Sequence, residues 1–202
     1  MFKTLRAWAL DLLTFAVLAI VLLAAGLAPA SAAPTAGVST DVKVTANGVY
    51  YGTTGVGTPQ FPLTLSSLLQ LTPGTGAGKA DKLYAASRTI AASTSENLDL
   101  AGGLTDPLGA TLTFVKVKAI LVIASSANTN NVVLGGAASN TFTGPFVDAT
   151  DKVSVPPGGA VLLTHPGAGW TVTAATGDIL TVANSSSGTT VTYTVLLIGT
   201  SV

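Results

Sequence analysis

The 202-residue chain carries nine Lys+Arg against nine Asp+Glu, so its net charge is zero and only 9% of its residues are charged. So few cations cannot neutralise a row of phosphates, which excludes nucleic acid and a polybasic lipid-binding face. The lack of cysteine excludes disulfide scaffolds, thiolate metal sites and cysteine nucleophiles, and one histidine, His165, excludes a multi-histidine centre in a single chain.

Residues 1–33 stand apart from the rest. Lys3 and Arg6 precede an uncharged run from Leu12 to Leu27 that ends in Ala-Pro-Ala-Ser-Ala-Ala, the layout of a secretory signal peptide cleaved after Ala32. The run also approaches the roughly 20 residues that span a bilayer. A retained hydrophobic anchor and an over-extended gene start are therefore the rival readings, and any membrane contact is expected through residues 1–33 alone. Residues 34–38 form a small-residue linker.

From residue 39 to 202 the pattern becomes short β-branched runs separated by Gly, Pro, Asn and Ser, which predicts one all-β domain. Strands are expected at 40–46, 82–90, 95–100, 111–124, 130–134, 160–164, 169–174, 178–183 and 189–199. Residues 47–80 hold recurrent Gly with Pro59, Pro62 and Pro73, and read as a long loop or arm ordered by a neighbouring subunit. Thr105-Asp-Pro-Leu-Gly109 reads as a helical turn capped by Asp106 or Thr105. In the strand 111–124, Val115, Val117, Ala119, Leu121 and Ile123 fall on one face by period two, and its end is expected to be buried on both sides. Val191, Tyr193, Val195 and Leu197 form the core face of the last strand, and Asn184-Ser-Ser-Ser-Gly188 predicts a hairpin joining it to 178–183. About ten strands with frequent turns predict a β-sandwich, jelly-roll-like domain.

The chemistry-bearing motifs are weak. Thr72-Pro-Gly-Thr-Gly-Ala-Gly-Lys79 has the wrong spacing for a phosphate loop, and Ala80 stands where Ser or Thr is required. His165 has no G-x-S-x-G nucleophile to serve and reads as a turn residue. Glu96 with Asp99, and Asp148 with Asp151, are too sparse for a calcium loop and read as solvated turns or subunit contacts rather than as a glycosidase pair. Asn184-Ser-Ser fits the glycan acceptor pattern, which matches often by chance. No enzymatic activity and no cofactor is expected. Trp170, Tyr50 and Tyr51 are the candidate interaction residues, with Trp170 read first as a core-edge or interface side chain and second as a sugar platform.

Glu96-Asn-Leu-Asp-Leu-Ala-Gly102, Asp106-Pro-Leu-Gly-Ala-Thr-Leu-Thr-Phe114, the run from Asn128 to Asn140, Asp148-Ala-Thr-Asp-Lys-Val153, Pro157-Gly-Gly159, Thr176-Gly-Asp178 and the closing Val191–Gly199 resemble the small β-rich virion structural proteins of tailed bacteriophages and prophages, commonly encoded near capsid genes. The resemblance covers residues 38–202, rests on turn and strand signatures, and carries over no functional residue; the leader is a departure from it. It implies a head decoration, spike or fibre-base subunit at the virion surface. Its expected partners are sister copies, in a trimer or another closed oligomer, and capsid or tail proteins. The alternative is a secreted or envelope-anchored carbohydrate-binding or adhesion module in which Trp170, Tyr50 and Tyr51 stack on a glycan.

Overall fold

The structure, a computed structural model, describes residues 37–53 and 55–202. The expected leader 1–33, and residues 34–36 of the expected linker, lie outside the described residues. In chain order the strands are β1 (Thr40–Tyr51), β2 (Gln60–Pro73), β3 (Lys79–Ala80), β4 (Lys82–Ile90), β5 (Ser95–Asp99), β6 (Ala101–Thr105) and β7 (Thr111–Thr113). They continue with β8 (Lys116–Ala124), β9 (Val132–Gly135), β10 (Lys152–Val155), β11 (Ala160–Thr164), β12 (Trp170–Thr171), β13 (Ile179–Asn184) and β14 (Val191–Thr200). The fold is all-β: strands make up 58% of the described residues, with no helix among them.

Two antiparallel sheets form the body. One has the order β11-β8-β14-β4, with β12 also paired to β8, and the other has the order β10-β9-β13-β5. Both sheets contribute to one buried cluster: Val191, Tyr193, Val195 and Leu197 of β14 point into it, as the period-two pattern predicts, and meet Leu134 and Val182 from the other sheet. Phe114 and Phe142 complete this cluster from the connecting segments.

Three local expectations are overturned. First, Asn184-Ser-Ser-Ser-Gly188 is no hairpin, because β13 pairs with β5 and β9 while β14 pairs with β4 and β8. The segment carries the chain from one sheet to the other. It is pinned by Asn184, whose Nδ2 donates to the carbonyls of Ala91 and Thr189 and whose Oδ1 accepts from Asn130. Second, residues 105–109 form a turn between the antiparallel strands β6 and β7 and not a helical one. The Asp106 carboxylate accepts from the Leu108 and Ala110 amides, each at 2.9 Å, which makes it a turn cap.

Third, the strand expected over 111–124 is broken into β7 and β8, and β8 carries a bulge. Ile198 pairs with Ala119 but Gly199 with Val117, so Lys118 is the extra residue. The bulge turns Val117 inward beside Ile120 and Val122 and leaves Ala119, Leu121 and Ile123 on the outer face. Ile123 is exposed, so the end of the strand is buried on one side only. Gly199 permits the bulge: a Cβ there would stand 2.0 Å from the Lys116 carbonyl oxygen and 2.7 Å from the Phe114 ring.

Candidate interaction surface

The region expected to be an irregular arm is a long ribbon. β1 and β2 pair antiparallel without a break from Thr40↔Leu71 to Tyr51↔Gln60, a length of about 37 Å at the usual rise per residue. Pro62 is tolerated because only β1 flanks β2 there, which leaves the other edge free of ladder bonds. Since cross-strand partners share a face, the register sorts the side chains. Val42/Leu69, Val44/Ser67, Ala46/Leu65, Gly48/Leu63 and Tyr50/Phe61 lie on one side. Asp41/Gln70, Lys43/Leu68, Thr45/Ser66, Asn47/Thr64, Val49/Pro62 and Tyr51/Gln60 lie on the other. The first face is almost wholly apolar and carries no charge, and the second is mostly polar.

Only the base of the apolar face is covered. Leu71, Leu69 and Val42 join Ala119, Ile198, Leu83 and Leu196 in a second, smaller core on the outer face of the five-stranded sheet. Beyond it, Tyr50 is 77% exposed, Phe61 65% and Leu65 59%, with Val44 and Leu63 also exposed. Scattered exposed apolar residues need no explanation, but a contiguous stripe of them marks an interaction surface.

A buried cation fastens the ribbon to the body. Lys118, 1% exposed, sends its Nζ from the bulge to the carbonyl oxygens of Gly76 at 2.5 Å and Lys79 at 2.8 Å. Burial pushes its ammonium below the usual lysine value, opposed by the charge of Asp81. The loop that resembled a phosphate cradle thus presents carbonyls to a cation. A phosphate loop would present amides to an anion.

The acidic residues singled out in the sequence are engaged in the framework. Glu96 of β5 accepts from Arg88 Nε of β4 at 2.6 Å and from the Tyr193 hydroxyl at 3.0 Å, and Arg88 also donates to the Tyr84 hydroxyl at 3.1 Å, so this network ties the two sheets together. The Glu96 hydrogen bond holds the Arg88 guanidinium well above its usual value. Burial, followed by the Glu96 charge, does the same to the Tyr193 phenol. Asp99 lies three positions further along the strand, and so on the opposite face, where it accepts from the Ala101 amide at 2.9 Å. Asp148 accepts from the Thr150 amide and hydroxyl, each at 3.0 Å, which lowers its carboxyl, and Asp151 accepts from the Asp148 amide. No cluster of three metal-ligating side chains occurs among the described residues.

The candidate aromatics are not brought together. Tyr50 lies on the apolar face of the ribbon beside Phe61, and its neighbour Tyr51 lies on the polar face opposite Gln60. Trp170 sits on the short edge strand β12, half-buried against the main core. His165 meets it edge-on with ring centroids 5.6 Å apart, and His165 Nδ1 accepts from the Gly169 amide at 3.3 Å. The expected strand at 40–46, which holds Val44, lies within β1, but sequence reasoning missed Phe61, Leu63 and Leu65. Their signal was present as alternation in Phe61-Pro-Leu-Thr-Leu65, but the surrounding Gly and Pro hid it. No protein-family profile matches the chain, and no curated protein does.

Proposed function

We propose that the chain is a structural subunit of a phage particle, a head decoration, spike or fibre-base protein that acts by passive multivalent binding, and that its body is a double-sheet jelly roll. The jelly-roll reading is supported by the winding of the chain. β4 to β5, β8 to β9, β10 to β11 and β13 to β14 each cross between the two sheets, and the strand orders interleave as two Greek keys do. That architecture recurs in viral capsid domains and in lectins, so it does not choose between functions by itself. The ribbon carries the choice: a firmly fastened arm with an uncharged apolar face suits a subunit held in a repeating array, where many weak contacts add up. The turn and strand signatures resembling phage virion proteins point the same way.

The test is peptide mapping by mass spectrometry of the native protein in purified particles, cell envelope and medium. Peptides from residues 38–202 in the particles are the expected result. Protein found only in envelope or medium would overturn the reading in favour of the exported glycan-binding alternative. That alternative has less support, because Tyr50 and Tyr51 occupy opposite faces of the ribbon and form no common platform.

A further inference from the structure

We propose that the apolar face of the β1–β2 ribbon is a homotypic interface, covered by the same face of a second copy of this chain. The inference rests on the reading of the ribbon as a docking arm and names its occupant. A two-stranded ribbon is at best marginally stable in water unless another layer packs on its apolar side. Here the chain's own body supplies that layer only at the base, around Leu71.

Two observations select a second copy. The first is charge. Between Thr40 and Pro73 the only charged residues are Asp41 and Lys43, and both lie on the opposite face. A face with no charge offers nothing to a phosphate, a headgroup or an acidic peptide, yet meets an identical face without repulsion. The second is area. Val44, Tyr50, Phe61, Leu63 and Leu65 are 45–77% exposed, which for side chains of their size amounts to about 500 Å². Two such faces remove roughly 1,000 Å² from water, the size at which specific association begins. An antiparallel twofold arrangement centred near Gly48 and Leu63 would set Tyr50 of one copy over Ala46 of the other, a bulky side chain on a small one.

The chain has no cysteine, so single thiols report contacts cleanly. In the full chain, Leu63→Cys, on the apolar face near the proposed axis, is expected to form a disulfide-linked species of twice the 20.0 kDa chain mass. It should form at least about tenfold faster than for Thr64→Cys, the adjacent residue on the polar face, because a docked pair raises the effective thiol concentration. Leu65→Glu is expected to reduce the solution mass to one chain while keeping the circular dichroism of the folded protein, and Thr64→Glu to leave the mass unchanged. Equal linking rates, or a single-chain mass for the wild type, would overturn the inference. In the second case a maleimide-shielded Leu63→Cys thiol would assign the cover to residues 1–36 of the same chain, and a reactive one to a different partner. Particle incorporation is scored separately. A ribbon-linked oligomer absent from particles fails the virion reading alone, and a monomer found in particles fails this inference alone.

Discussion

The body and the ribbon follow the same sequence rule and end in different states. In β14, Val191, Tyr193, Val195 and Leu197 alternate with Thr192, Thr194 and Leu196 and are buried against the opposite sheet. In β1 and β2, Val42, Val44, Leu63 and Leu65 alternate just as regularly, but only the pairs nearest the base meet another layer. Alternation decides which side of a strand is apolar, and the neighbours decide whether that side is covered. The contrast predicts that equal chemical changes will have unequal effects in the two regions.

The largest expected effect is in the body. Gly199→Ala drives a methyl into the Lys116 carbonyl, which cannot retreat without dissolving the bulge. A stability loss of at least about 3 kcal/mol in urea unfolding is expected. Leu134→Ala removes a fully buried side chain shared by both sheets and is expected to cost about 3 kcal/mol. A loss below about 1 kcal/mol for Leu134→Ala would mean that the two sheets do not share one close-packed core, and for Gly199→Ala that the bulge yields to the added methyl.

The junction between the regions gives an intermediate effect. Lys118→Met keeps the length of the stem but removes the ammonium bonds to the Gly76 and Lys79 carbonyls, leaving Gly76 with only the bond from the Lys79 amide. A loss of about 2 kcal/mol is expected, with faster proteolysis between residues 74 and 79 as the local readout. Unchanged proteolysis would show that the ribbon is fastened by its apolar base alone.

Tyr193 provides a pH-dependent test of the body. In the folded chain its phenol holds its proton above the usual tyrosine value, whereas the unfolded chain releases that proton near pH 10. Above about pH 10 the folded state therefore binds more protons, and stability falls as pH rises. Tyr193→Phe is expected to flatten this alkaline loss, at a cost of about 1 kcal/mol at neutral pH from the bond to Glu96. An identical alkaline slope in the variant would assign the loss to other groups. The smallest effect belongs to the ribbon. Leu65→Ala, a truncation similar to Leu134→Ala, is expected to change the unfolding of the dilute single chain by no more than about 0.5 kcal/mol, because its side chain is already 59% exposed.

Much of the body was legible before its structure. The strands at 82–90 and 160–164 and the core face of β14 follow from period two and β-branched composition. The errors have local causes. Gly48 and Pro62 read as loop punctuation, yet each occupies a regular pair of the ribbon, with Leu63 and Val49, because a two-stranded element has free edges that tolerate a missing donor. Asn184-Ser-Ser-Ser-Gly188 has the composition of a hairpin turn, and composition cannot distinguish a turn within a sheet from a crossing between sheets. The bulge at Lys118 puts Ala119, Leu121 and Ile123 on the face opposite Val117, with which they were expected to align, since one extra residue reverses every side chain beyond it.

For the candidate surface, Tyr50 and Tyr51 were singled out by residue type, but the face that unites Tyr50 with Phe61, Leu63 and Leu65 depends on a register between residues 11 to 31 positions apart. What the sequence alone determined is the all-β class, the strands with strong alternation and the near absence of charge, because each is set by residues close in the chain. The pairing of strands, the sheet each belongs to, the burial of Lys118 and the exposure of one apolar ribbon face were decided only by the tertiary structure. Burial is a property of what packs against a residue, and here the packing partners are distant in sequence.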